Sequence, residues 1–299
     1  MVGIPSLPCS HRLCSSLLEA LLITALAYPI SAAAHVGAHE QIETLSRLIQ
    51  QDQVNSQLYI SRGEVYRQHG DQDNAIADFS KALANDPENV PATTGLGRTY
   101  LDQGDYQQAI IHLNRALVLE PYNTRALAVR AQANMEIGRP LNAAADYTHA
   151  IEQSRKQGKP LPDYYLKRAR AYEAAGNQYI ESALLSLDEG IKLLGNIRTL
   201  ELYAVELEIK LDNFDAAHAR LSSILAGATR KEFLLLQRGD ILSSAGETAA
   251  AMQDYLAAQA AIESLPAQRR HSDSVMQLQH DLDARLASHE NHRMSKHND

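Results

Sequence analysis

The sequence contains no tryptophan, three phenylalanines and two cysteines in 299 residues. Both cysteines, Cys9 and Cys14, lie near the N-terminus. The rest of the chain therefore has no disulfide framework, no cysteine zinc site and no thiol nucleophile. Aromatic residues make up 5% of the chain, too few for an aromatic-rich β core. Basic residues form no block and the formal net charge is −8, which argues against a nucleic-acid-binding surface. No Gly-rich phosphate loop, GxSxG or HExxH occurs, so the usual signatures of nucleotide binding, serine hydrolysis and metalloprotease chemistry are missing. The sequence points to no catalytic residue and no cofactor.

Alanine and leucine are plentiful, and they recur with a period. Gly63, Tyr66, Gly70, Ala75, Phe79, Ala82 and Pro87 reappear 34 positions later as Gly97, Tyr100, Gly104, Ala109, Leu113, Ala116 and Pro121. A repeat of this length signals stacked supersecondary units. Each unit reads as two helices, about 57–69 and 74–85 in the first. A glycine such as Gly70 ends the first helix in the left-handed conformation, and Pro87 stops the second. Small residues at Gly63, Ala75 and Ala82 let the two helices approach closely, and Tyr66 and Phe79 fill the space beside them. One hairpin cannot bury its apolar faces alone, so neighbours must stack.

This pattern resembles the tetratricopeptide repeat (TPR) family. The resemblance implies an all-α, right-handed superhelical solenoid of stacked helix-turn-helix hairpins. Six units can be placed: 56–89, 90–123, 124–157, 162–197, 198–231 and 232–265. The third keeps Ala131, Gly138, Ala143, Tyr147 and Ala150, with Asn134 where an aromatic is usual. A long exposed loop, Ser154–Asp163, follows it. The fourth has Tyr165, Ala169, Tyr172 and Gly176, then a two-residue offset to Ala183, Leu187 and Gly190. The fifth is degenerate: Phe214, Ala217, Leu221 and Leu225 fit, while Val205, Glu208 and Asp212 depart. The sixth returns to the pattern with Gly239, Gly246, Ala251, Tyr255 and Ala258.

The flanks read differently. Residues 1–34 have the form of a secretory signal: His11 and Arg12, an apolar run Leu17–Ile30, then Ser31-Ala32-Ala33-Ala34. Cleavage after Ala34 or Ala38 fits. The alternative is an uncleaved membrane anchor at 15–30, the only route to a membrane. Export would place the protein in a periplasm or outside the cell. Residues 39–53 form a leading amphipathic helix with Ile42, Leu45, Leu48 and Ile49 on one face. A C-terminal capping helix spans 266–288, with Val275, Leu278, Leu282 and Leu286 inward, and 289–299 reads as a disordered polar tail.

Position 7 of the repeat is Arg62, Arg130, Arg168 and Arg238 in units one, three, four and six, and position 23 is Asp78, Asp146 and Asp254 in units one, three and six. Unit two changes both, to Leu96 and His112, and unit four sets Ser186 opposite Arg168. The spacing predicts structural ion pairs Arg62–Asp78, Arg130–Asp146 and Arg238–Asp254 joining the two helices of a hairpin. The alternative is that these arginines line a ligand groove.

In the TPR family the concave surface is lined by the first helix, helix A, of each unit. Carried onto this sequence, the partner-binding positions include Glu64, Arg67, Arg98, Asp102, Arg125, Gln132, Arg170 and Glu173. The resemblance implies a non-catalytic scaffold that holds a protein or peptide there. Family members that clamp the carboxylate tails of heat-shock chaperones use a specific Lys and Asn set. The matching positions here are Ile60, Glu64, Gly95, Pro91 (or Arg125) and Val129, so no clamp of that kind is expected. A different reading comes from His35 and His39, one helical turn apart at a metal-ligand spacing. Cleavage after Ala34 would leave His35 as an amino-terminal copper chelator in a periplasmic metal-binding protein.

Overall fold

The computed structural model describes residues 37–295. The signal or anchor segment 1–34 and His35 lie outside the described residues, as do 296–299. Regular structure is helical throughout, with no strand among the described residues. The chain divides into two compact units, Met1–Val129 and Arg130–Asp299.

Unit one contains α1 (37–51), α2 (Ser56–Gln68), α3 (Gln72–Asn85), α4 (Val90–Gln103), α5 (Tyr106–Leu119) and the start of α6 (Thr124–Glu136). Each helix from α2 to α6 is opened by an Asn or Asp side chain that accepts a backbone N–H: Asn55, Asp71, Asn89, Asp105 and Asn123. Such a cap is worth about 1 kcal/mol. Gly104 takes the left-handed conformation that ends α4, with φ 82°. Ile49, Tyr59, Ile60, Phe79, Ala92 and Leu96 form one core. In α1, Ile49 is buried, but Leu48 is 41% exposed and lies off the packed face assigned to it above.

Close approach explains the small residues. A Cβ built on Gly97 of α4 would sit 2.6 Å from Leu113 Cγ, and one on Gly95 would sit 2.5 Å from the Phe79 ring. Both distances are shorter than real Cβ contacts, so only glycine lets α4 lie against these side chains.

Unit two contains the rest of α6, then α7 (Pro140–Lys156), α8 (Pro162–Ala174), a 3-10 turn at Asn177–Tyr179, and α9 (Ile180–Leu194). It continues with α10 (Arg198–Lys210), α11 (Phe214–Ala226), α12 (Glu232–Ser244), α13 (Thr248–Glu263), the short α14 (Ala267–Arg270) and α15 (Asp273–Ser295). The 3-10 turn accounts for the two-residue offset of the fourth repeat. Beyond it Ala183 and Leu187 are fully buried, and Gly190 lies against Tyr165. Helices α7 to α13 make no side-chain N-cap bond.

Three expectations need correction. The long loop 154–163 is short, because α7 continues to Lys156 and α8 starts at Pro162. The C-terminal cap is not one helix over 266–288. It is the single turn α14 followed by α15, whose Val275, Leu278 and Leu282 are buried against α13. Finally, residues 289–295, read as disordered tail, continue α15.

The fifth repeat keeps its hairpin. Asp212 stands where the other units have glycine, and it adopts the left-handed conformation at φ 55°. Aspartate is among the few residues that tolerate this. Val205 fills the small-residue position and is fully buried with Ala217, Leu221 and Ile241.

Candidate functional site

The position-7 arginines are committed to the fold. Arg62 Nε and Nη2 each donate to Asp78 at 2.7 Å. Arg238 binds Asp254 in the same fork at 2.6 Å, and Arg130 binds Asp146 at 2.9 and 2.5 Å. The three aspartates are buried, and the parallel fork satisfies both carboxylate oxygens. The bond to Asp78 raises the pKa of Arg62 against burial, and Asp254 does the same for Arg238. In unit four Arg168 donates to Ser186 at 2.8 Å and to Glu189 at 2.5 Å. In unit two of the repeat array, His112 stacks on Tyr100 with ring centroids 5.3 Å apart.

The helix-A positions are drawn together within each compact unit. In unit one, Arg67 donates to Glu64 on its own helix at 3.1 Å and to Asp102 of α4 at 2.7 Å. Arg98 of α4 donates back to Glu64 at 2.8 Å. Burial opposes the charge on Arg67, but its bonds to Asp102 and Glu64 outweigh this and raise its pKa. Burial lowers the pKa of Arg98, and the neighbouring Arg67 and Arg125 push it the same way. Arg125, at the start of α6, is exposed and makes no ion pair among the described residues. It lines a hollow of about 200 Å³ with Ile60, Glu64, Pro91, Thr94, Gly95 and Asn123.

In unit two, Glu173 of α8 accepts from Tyr203 and Lys210 of α10, and Arg170 lies over the Tyr203 ring at 5.8 Å. Burial alone would raise the pKa of Glu173, yet the bonds from Lys210 and Tyr203 lower it overall. Gln132 is exposed on α6 and joins neither cluster. Sequence spacing placed Thr94 on the helix-A face but did not flag Tyr203 or the charge cluster around Arg220. Arg220 of α11 reaches Glu208 and Glu201 of α10 and Asp188 of α9, all within 2.9 Å. The available signal was a reversed charge pattern: a base at position 23 and an acid on helix A. His39 is exposed on α1, and no group of three or more potential metal ligands occurs among the described residues.

A family profile described as tetratricopeptide repeat matches residues 66–133. The chain has the fold of tetratricopeptide-repeat proteins. Solved structures share the fold at low identity. The C-terminal part of a TPR repeat-containing protein from Cytophaga hutchinsonii aligns with a TM-score of 0.62 at 14% identity, over 81% of this chain and 94% of its own. A tetratricopeptide repeat protein from Parabacteroides merdae covers 91% of this chain and 98% of its own, with a TM-score of 0.50 at 16% identity. YrrB, described as a TPR protein with an unusual peptide-binding site, aligns at a TM-score of 0.50 and 15% identity over 71% of this chain and 97% of its own. No curated protein matches the sequence significantly.

The fold class is thus an all-α helical-repeat solenoid. TPR proteins are generally non-catalytic scaffolds for protein or peptide partners. In this chain the helix-A clusters present oriented guanidinium, carboxylate and phenol groups whose positions are set by neighbouring helices. Such groups can donate to and accept from an extended backbone or a side chain. No helix among the described residues is long and apolar enough to cross a membrane.

Proposed function

We propose that this chain is an exported scaffold that holds a protein or peptide segment on its helix-A face and performs no chemistry of its own. The observation that carries the reading is the Glu64–Arg67–Asp102 and Arg98–Glu64 lattice on α2 and α4. Its side chains are fixed before any partner arrives, so binding costs little ordering entropy. Export to a periplasm or beyond the cell rests on residues 1–34 alone. Residues 15–30 retained as an anchor would tether the same scaffold to a membrane.

The test is a crosslinking capture from the native host, with the tryptic peptides reporting the mature N-terminus. Cysteine is absent beyond Cys14. With Cys9 and Cys14 changed to serine, Gln68→Cys on α2 can carry a bulky maleimide, and Lys81→Cys on α3 serves as the control. Both positions are exposed. One captured partner, lost on labelling at Gln68→Cys and kept on labelling at Lys81→Cys, is the expected result. Capture that survives both labels would remove the helix-A face as the site.

A further inference from the structure

The hollow in unit one contains a polar atom that the fold does not use. Thr94 is 4% exposed, and its Oγ1 has no hydrogen-bond partner among the described residues. The nearby threonines behave differently: Thr93 and Thr99 each donate to the carbonyl four residues earlier at 2.9 Å. Thr94 therefore bears the desolvation of a hydroxyl without a bond to offset it. It lines the same hollow as Arg125, whose guanidinium makes no ion pair among the described residues. One helical turn beyond Thr94 on α4 is Arg98, half-buried and neutralised by Glu64 alone, a carboxylate it shares with Arg67.

The local charge is the second observation. Arg67, Arg98 and Arg125 face two carboxylates, Glu64 and Asp102, in a chain whose net charge is −8. A local excess of one positive charge is too small to hold a nucleic acid, whose binding neutralises many phosphates. It suits a single anionic side chain. Ile60 and Pro91 supply apolar walls for the methylenes of such a side chain.

We infer that this hollow receives the carboxylate side chain of an extended acidic peptide, with Arg125 and Arg98 as charged donors and the Thr94 hydroxyl as the third. The inference rests on the helix-A reading above and names the chemistry of its ligand. Glu64 is the internal competitor, because it occupies Arg98 until the incoming carboxylate shares that guanidinium.

The probe is fluorescein-labelled hexaglutamate, titrated into the full chain by fluorescence anisotropy, with hexaglutamine and inorganic phosphate as the other arms. Hexaglutamate should bind at least 10-fold tighter than hexaglutamine, with affinity falling as salt rises. Arg125→Gln should cost about 10-fold and Thr94→Val about 3- to 10-fold, while Thr94→Ser retains binding and Glu64→Gln strengthens it. Thr94→Val also separates function from folding. Replacing an unpartnered hydroxyl by a methyl should leave the melting temperature unchanged or raise it, so weaker binding there cannot be unfolding. Equal binding of both peptides, or unchanged affinity in Arg125→Gln and Thr94→Val, would overturn the inference. Displacement by phosphate at equal concentration would assign the site to free anions and overturn it as well. Partner capture that remains sensitive to the Gln68 label in either case leaves the scaffold reading standing.

Discussion

Arg220 of α11 donates to the buried Glu208 of α10 at 2.8 Å, and this contact is the Arg62–Asp78 pair with its charges exchanged between the helices of the hairpin. The acid now stands on helix A, one turn beyond the usual arginine position, and the base on helix B. Glu208 is 3% exposed, and both of its carboxylate oxygens accept from the guanidinium. Where a hairpin of this chain carries an ion pair across this seam, either polarity serves.

Removing Arg220 should therefore be costly. Arg220→Met leaves Glu208 buried beside Glu201 without compensation, and should destabilise unit two by about 3–5 kcal/mol in urea unfolding. The double change Arg220→Met with Glu208→Met should recover much of that loss, because it buries methylenes in place of charges. Equal losses in the single and double variants would mean the two residues are not coupled.

Gly97 should resist enlargement. Gly97→Val forces a side chain into Leu113 and should cost about 1–3 kcal/mol through overpacking. Leu113→Ala in the same chain should return part of the loss, although it opens a cavity of its own. Thermal melting monitored by circular dichroism decides the matter: a Gly97→Val chain that melts like the parent would show that α4 and α5 do not pack as described.

Asp212 offers a stabilising change. It holds φ at 55°, where a side chain crowds the backbone and glycine does not. Asp212→Gly should gain about 0.5–1 kcal/mol, and Asp212→Ala should lose a similar amount. Identical melting of both variants would contradict the left-handed turn between α10 and α11.

Alkaline pH should reveal three tyrosines. Burial pushes the phenols of Tyr147, Tyr203 and Tyr255 well above the ordinary tyrosine range, aided by Asp163, Glu173 and Asp240 respectively. A folded pKa above the unfolded one means that their contribution to stability is complete below the ordinary range, about pH 10. It is lost as pH rises through the higher folded values. Ultraviolet titration should show these phenols ionising late, together with unfolding. Tyr203→Phe should remove one late phenol. A titration in which every phenol ionises in the ordinary range would refute the placement of these rings.

The sequence by itself determined the repeat. Its 34-residue period, the glycines that end helices and the prolines that stop them are local codes, each read by a few neighbouring backbone groups. The spacing of 16 between Arg62 and Asp78 was legible for the same reason, since one hairpin fixes it. Tertiary structure decided whatever depends on a second hairpin. Spacing alone did not reveal that Arg98 shares Glu64 with Arg67, or that Tyr203 and Lys210 converge on Glu173. Nor did it reveal that Asp212 could replace glycine, because a backbone dihedral is chosen by the packing on both sides of the turn. The unpartnered hydroxyl of Thr94 is the furthest from legibility. A threonine in a helix normally donates to its own turn, whereas this one is buried by the packed hairpins and has no partner among the described residues.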